Sequence, residues 1–317
     1  MTMTLFYGNY TYCATYAIFD SGIDVKEISK NKFEMLSSVP FGVVHGKEYA
    51  HRLISPVYEP LHGIKRACEI LNKKYIEKGF DDKNDARDFL LKRLNCGSVV
   101  IGPVEMSKLN YIPLSRIYER VPHYISLYKD ESNIIRVNDS EGIMGQALPI
   151  EEFMVMWDSV NLMESDYIYT VGYIESEGKL PFEKEQVIKS TRNCFENLEF
   201  ARKIKQGPMA FEKLWETISN TSNKQYKNHL FFDLEIFIQR KYLMLSFIQW
   251  IEKYIVCNTD RIKYIVKEQI YLAAQINNRV RNGNMNNNYQ LFYRLGILED
   301  DLTNIFGEVC ENACRNN

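Results

Sequence analysis

His123-Tyr124-Ile125-Ser126-Leu127-Tyr128 and Ile134-Ile135-Arg136-Val137-Asn138-Asp139 flank the polar stretch Lys129-Asp130-Glu131-Ser132-Asn133. Short runs rich in β-branched and aromatic residues on either side of a polar turn form the pattern of a β-hairpin. Ser140-Glu141-Gly142 stops the second run. In an antiparallel pair the start of one strand lies beside the end of its partner. His123 and Asp139 are therefore expected to meet at one end of the hairpin. There Asp139 accepts from one imidazole nitrogen, fixes the tautomer and leaves the other nitrogen facing out. A hairpin-end hydrogen bond without chemistry is the plainer reading of the pair.

Outward from the hairpin, Ser98-Val99-Val100-Ile101-Gly102-Pro103-Val104 reads as a buried strand and Tyr167 to Ile174 as a last one. Tyr111 to Val121 is a connecting loop. Upstream, Leu61 to Lys78 and Asp85 to Leu94 read as helices, and Ile150 to Trp157 as a short one. Helices followed by an antiparallel sheet give an α+β class. From Pro181 the character turns all-helical: Glu183 to Lys205, Met209 to Ser219, Lys224 to Val256 and Arg261 to Val280. Gly207-Pro208 breaks the first pair, and Pro suits the start of the next helix. The expected domains are 1–180 and 181–317.

Near the start, Tyr7-Gly8-Asn9-Tyr10-Thr11-Tyr12-Cys13-Ala14-Thr15-Tyr16-Ala17 reads as a Gly/Asn turn entering an apolar helix that runs to Ser21-Gly22. Cys13 then falls in the first helical turn, where N–H groups lack intrahelical partners and the macrodipole favours a thiolate. Thiol pKa values drop in such places from about 8.5. Cys13 is a candidate nucleophile, with His123 as base and Asp139 as its orienter. The same placement also suits a small buried thiol packing a helix on a sheet.

Net charge over 317 residues is −2, so no global field advertises nucleic acid or an anionic membrane. No stretch approaches the roughly 18–20 uncharged residues of a spanning helix. Seven cysteines, at 13, 68, 96, 194, 257, 310 and 314, form no CxxC pair. That suits free thiols in a reducing, cytoplasmic compartment. His45 and His51 flank Gly46 and are candidates to line a cleft, yet no third ligand is spaced for a metal, and none is expected. Cys310 and Cys314 read as one face of a terminal helix. Without a GxGxxG or P-loop, no nucleotide cofactor is implied.

The order Cys13, His123, Asp139 resembles the papain-like peptidases of the bacteriocin-processing type, whose late section is an apolar strand, a loop, His on a strand, a turn and a strand ending in Asp. More closely, the chain resembles the family of butirosin biosynthesis protein H. The likeness rests on the three strands above, on Val104-Glu105-Met106-Ser107-Lys108-Leu109-Asn110-Tyr111 as an acidic-then-aromatic loop, and on Leu61-His62-Gly63-Ile64-Lys65-Arg66-Ala67 as a helix start. It covers residues 5–150; over 185–300 it rests on a helical pattern and Gly207-Pro208. Tyr12 stands where that family often has His, and Lys32-Phe33-Glu34-Met35-Leu36-Ser37-Ser38 replaces a Gly-rich stretch. The Gln that papain-like enzymes place before the cysteine is missing. Asn9 is the nearby amide that would join the Cys13 N–H in an oxyanion hole, where one donor is worth about 3 kcal/mol; a turn role is its plainer reading.

The resemblance implies a papain-like N-terminal domain, helices packed on an antiparallel sheet, followed by an all-helical C-terminal domain. It implies an acyl-enzyme on Cys13 and a cysteine acyltransferase or thioesterase that moves an acyl group from a carrier-protein or small-molecule thioester to an amine in natural-product biosynthesis. Glu105, Tyr12 and His45 are the candidate substrate contacts, although Glu105 also reads as a solvated loop acid. A cysteine peptidase or amidase with the same triad is the alternative. A catalytically inert binding scaffold, with homo-oligomerisation as part of that reading, is the second. No cofactor, nucleic acid or membrane partner is expected.

Overall fold

Alternation along the hairpin decides which side chains face the interior, and a six-stranded sheet is built around it. The computed structural model describes residues 13–24, 26–45, 54–55, 60–113, 115–117, 121–132, 134–157, 166–204, 207–220, 224–282 and 288–315. In chain order the elements begin with α1 (Cys13–Gly22), α2 (Lys30–Leu36), β1 (Val44–His45), β2 (Ile54–Ser55) and α3 (Pro60–Ile70). Next come β3 (Lys73–Phe80), α4 (Lys83–Leu94), β4 (Val99–Glu105), β5 (Pro122–Lys129), β6 (Ile135–Asp139), β7 (Ile143–Ala147), α5 (Ile150–Met156) and β8 (Tyr169–Ser176). The chain continues as α6 (Glu183–Lys203), α7 (Gly207–Ser219), α8 (Lys224–Ile251), α9 (Asp260–Arg281) and α10 (Tyr289–Arg315). The order is α+β with a helical C-terminal region.

Contacts divide the chain into two units. One runs up to Phe33 and from Leu71 to Leu180; the other takes Glu34–Ile70 and everything from Pro181. The sequence reading divides the chain once, at 180/181. The contact pattern divides it there and also on either side of 34–70.

In the first unit the sheet order is β3-β8-β4-β5-β6-β7, antiparallel throughout. The polar turn closes β5 onto β6 through Asp130. Its Oδ1 accepts from the Ser132 and Ile134 N–H groups at 2.9 Å each, and its Oδ2 from Arg136 Nε at 2.8 Å. These bonds, first the one from Ile134, hold the Asp130 carboxyl below the usual range. Every residue of β4 is buried, so both faces of the sheet are covered at its centre. Ile101, Ile125, Leu127 and Val137 pack with Leu90 of α4, Phe153 of α5 and Trp157 just after it. Meanwhile α1 lies along β5 and reaches β4, β8 and β6. Its buried run Ala14–Phe19 supplies apolar area worth roughly 1.5–3 kcal/mol per large side chain.

Two elements differ from the sequence reading. Leu61–Lys78 is expected as one helix, but α3 ends at Ile70 and Asn72 takes a left-handed φ of 53°. Lys73–Phe80 instead pairs along its whole length with β8. As an edge strand it carries charge freely, and edge lysines are a common guard against unwanted pairing. At the other edge β7 is a strand the sequence reading lacks. Its residues are half-buried or exposed, so no apolar alternation marks it.

The second unit is helical apart from the short antiparallel β1–β2 pair. Here α10 packs on α7, α9 and α6, and α8 packs on α9. Gly207 and Pro208 open α7. Buried Lys241 bonds Glu299 Oε2 at 2.8 Å, and Gln269 Nε2 donates to the same oxygen at 2.8 Å. Arg240 donates to the carbonyls of Val39 and Gly42 at 3.2 and 3.0 Å. No helix among the described residues is long and apolar enough to cross a membrane.

Candidate active site

Cys13 is the first residue of α1. Its position in the opening turn leaves the local N–H groups without intrahelical acceptors, which is a ready place for negative charge. Its side chain is half-buried.

His123 and Asp139 reach each other through the hairpin register. Ser126 opposes Asn138, so continuing the ladder sets Ile125 opposite Asp139 and His123 two residues further along the same face. Diagonal neighbours on one face are within reach of long side chains. His123 Nε2 lies 2.8 Å from Asp139 Oδ1, with His123 3% and Asp139 0% exposed. Beside them β4 bulges between Ile101 and Val104, the latter paired with His123. Bulges re-aim neighbouring side chains and recur near active sites.

Asp139 is itself held in place. Its Oδ2 accepts from the Tyr111 hydroxyl at 3.1 Å, and its Oδ1 also accepts from the Glu141 N–H at 2.9 Å. With three donors on two oxygens the carboxylate cannot turn without losing bonds. Nε2 is committed to Asp139, so Nδ1 is the nitrogen left for Cys13, whose thiol hydrogen-bonds His123.

Electrostatics reinforce the arrangement. Burial works against a charged His123. The negative charge of Cys13, the hydrogen bonds to Asp139 and Cys13, and the charge of Asp139 outweigh it and hold the imidazole pKa well above its ordinary value. The balance favours the imidazolium form of His123. Burial, then the Asp139 charge and hydrogen bond, raises the Tyr111 pKa, so that phenol stays a donor. Tyr16, one turn after Cys13, is pushed up to about 12 by burial and by the charges of Asp20 and Asp139.

The structure thus brings Cys13, His123 and Asp139 together. Asn9 and Tyr12, expected for the oxyanion hole and the substrate, lie outside the described residues, as does His51. Glu105 is not a solvated loop acid. It ends β4, is 6% exposed, accepts from Ser107 Oγ at 2.8 Å and lies 3.8 Å from Lys108 Nζ. The β4 ladder continues further than the loop reading allowed, pairing Glu105 with Pro122. Those bonds occupy the carboxylate within its own unit and weigh against a role in receiving an amine. His45 belongs to the second unit, 7% exposed, with Nε2 3.2 Å from Thr217 Oγ1. It is a buried, satisfied histidine rather than an open cleft residue. Tyr111 is the residue to which sequence reasoning gave no role. Its signal was its place as the aromatic of the loop before the His strand.

No protein-family model matches the chain. It is similar to uncharacterized protein YobF of Bacillus subtilis (strain 168), 28% identical over 151 residues, which is 47% of this chain and 48% of that protein. The match therefore spans about half the length of this relative.

Proposed function

We propose that the chain is a cysteine-dependent acyl-transfer enzyme, a thioesterase or acyltransferase. The observation that carries the reading is the Cys13–His123–Asp139 set: a thiol at a helix N-terminus, bonded to an imidazole whose other nitrogen is held by a buried carboxylate. The Cys13 thiolate attacks the carbonyl carbon of an acyl thioester, forming a carbon–sulfur bond and pushing the carbonyl electrons onto oxygen. The Cys13 N–H donates to that oxyanion. Collapse breaks the bond to the leaving thiol, which takes the proton of His123 Nδ1. An amine then attacks the acyl-enzyme, His123 accepts its proton, and the Cys13 thiolate departs. Asp139 holds the imidazole in place throughout.

The likeness in sequence to the butirosin biosynthesis protein H family supports a carrier-bound donor and an amine acceptor. The free cysteines among the described residues support a reducing, cytoplasmic compartment. The test is incubation with acyl-pantetheine thioesters and mass spectrometry of the intact chain. A mass gain equal to the acyl group on Cys13, absent in Cys13→Ala and discharged by a primary amine, is expected. Discharge by water alone makes it a thioesterase. Cleavage of peptides without thioester turnover would replace the reading with a peptidase. No adduct on Cys13 from any acyl donor would refute it.

A further inference from the structure

Asp20, near the end of α1, ties that helix to the hairpin bearing His123 and Asp139. Its Oδ2 accepts from Ser126 Oγ at 2.5 Å and from Asn138 Nδ2 at 2.7 Å. Ser126 and Asn138 are register partners across β5 and β6, so one carboxylate oxygen spans two strands. Asn138 Oδ1 in turn accepts from the Gly145 N–H at 2.7 Å. Gly145, with φ +67°, is the extra residue where the β6–β7 register shifts. The tie therefore extends into a third strand, through a bulge that favours glycine.

Spacing connects this tie to the thiol. Cys13 and Asp20 stand two helical turns apart on nearly the same face, a rise of about 10 Å. His123 and Ser126 stand three residues apart on β5, again about 10 Å at the strand rise. Cys13 bonds His123 at one end, and Asp20 bonds Ser126 at the other. Tyr16 feels the charges of both Asp20 and Asp139, as its place between the two ends requires.

We propose that Asp20 is a positioning residue that sets the advance and roll of α1, and so delivers Cys13 Sγ to His123. The proposal rests on the reading of Cys13 and His123 as a nucleophile–base pair. Apart from Thr15 and the Tyr16 hydroxyl, the buried side chains of the helix are apolar: Ala14, Ala17, Ile18 and Phe19. Apolar burial is non-directional and resists a small slide poorly. Hydrogen bonds to a carboxylate have steep distance and angle dependence. A displacement of about 1 Å at a reacting atom costs on the order of 100-fold in rate. Of the groups near the Cys13–His123 pair, Asp139 and Tyr111 keep their hydrogen bonds when Asp20 changes, and Tyr16 loses the Asp20 charge that helps to raise its pKa.

The experiment is iodoacetamide labelling of the whole chain across pH, with the Cys13 rate read by mass spectrometry and exposed Cys96 as internal reference. Asp20→Ala is expected to slow Cys13 by about tenfold or more below neutral pH, toward the rate of a thiol with no base beside it. Cys96 stays unchanged. Asp20→Asn keeps an acceptor oxygen for Ser126 and Asn138, and is expected to restore the rate to within about threefold. A wild-type profile at Cys13 in Asp20→Ala overturns the proposal, and so does equal slowing in Asp20→Asn. Should Asp20→Ala not fold by circular dichroism, Ser126→Ala decides: slowing of about threefold supports the tie and an unchanged rate overturns it. His123→Ala separates the two readings. If it leaves Cys13 labelling at the wild-type rate, the nucleophile–base reading fails. If it slows Cys13 while Asp20→Ala does not, only the positioning role fails.

Discussion

Asp139→Asn isolates what the buried carboxylate does for His123. The amide retains an oxygen to accept from Nε2–H and is nearly the same size, so packing survives while the charge goes. The carboxylate charge and its hydrogen bond, 2.8 Å between Nε2 and Oδ1, both favour the imidazolium. A fall in the His123 pKa is therefore expected in the variant, each tenfold loss of proton affinity being worth about 1.4 kcal/mol. Both groups are buried, so solvent screens the pair little.

The pH dependence of stability follows in sign. His123 has a folded-state pKa raised above its unfolded value, which is about 6.5. Protonation therefore favours the folded chain. That contribution is whole below about pH 6.5 and is lost as pH rises through the folded value. In Asp139→Asn the folded value moves down toward the unfolded one, so the window narrows and the thermal midpoint depends less on pH across it. Proton NMR titration of the imidazoles, with His123 identified by His123→Gln, reads the shift directly. A His123 pKa that stays within a few tenths of wild type in Asp139→Asn would refute the reasoning, because the carboxylate charge would then contribute nothing to the pair.

Other expectations are independent of substrate. Tyr111→Phe removes the donor to Asp139 Oδ2 and is expected to cost about 1.5–3 kcal/mol, the worth of a hydrogen bond to a charged group, measured by urea denaturation. Asp82→Ala removes the cap that accepts from the Asn84 and Asp85 N–H groups at 2.8 and 3.0 Å, and should cost about 1 kcal/mol in the same assay. Lys241→Met strands the buried Glu299 carboxylate and is expected to destabilise by about 3–5 kcal/mol, while adding Glu299→Leu recovers part of the loss. A double variant no more stable than the single one would show that the pair is not coupled.

How much of this was legible in the sequence depends on the range of the interaction that decides each feature. The β5–β6 pairing was legible because one polar turn sets its register, and register alone delivers His123 to Asp139. Cys13 was legible as a helix start because apolar periodicity begins there. The edge strands β3 and β7 were not. Both lie at the rim of the sheet, where few positions are fully buried, so neither shows a sustained apolar alternation, and Lys73–Phe80 fits a helical period as well as a strand. Residues 34–70 cluster with the helical unit through contacts such as Arg240 with the Val39 and Gly42 carbonyls, about two hundred positions apart in the chain. Tyr111 and Asp20 fall in the same class. Each is ordinary in its own neighbourhood, a loop aromatic and a helix acid. Each matters only because a distant strand presents a matching partner, Asp139 for one and Ser126 with Asn138 for the other. Local pattern finds the groups that carry chemistry, because thiols and imidazoles are scarce. It does not find the groups that hold them at the right distance, because hydroxyls and carboxylates are common and only their tertiary partners distinguish them.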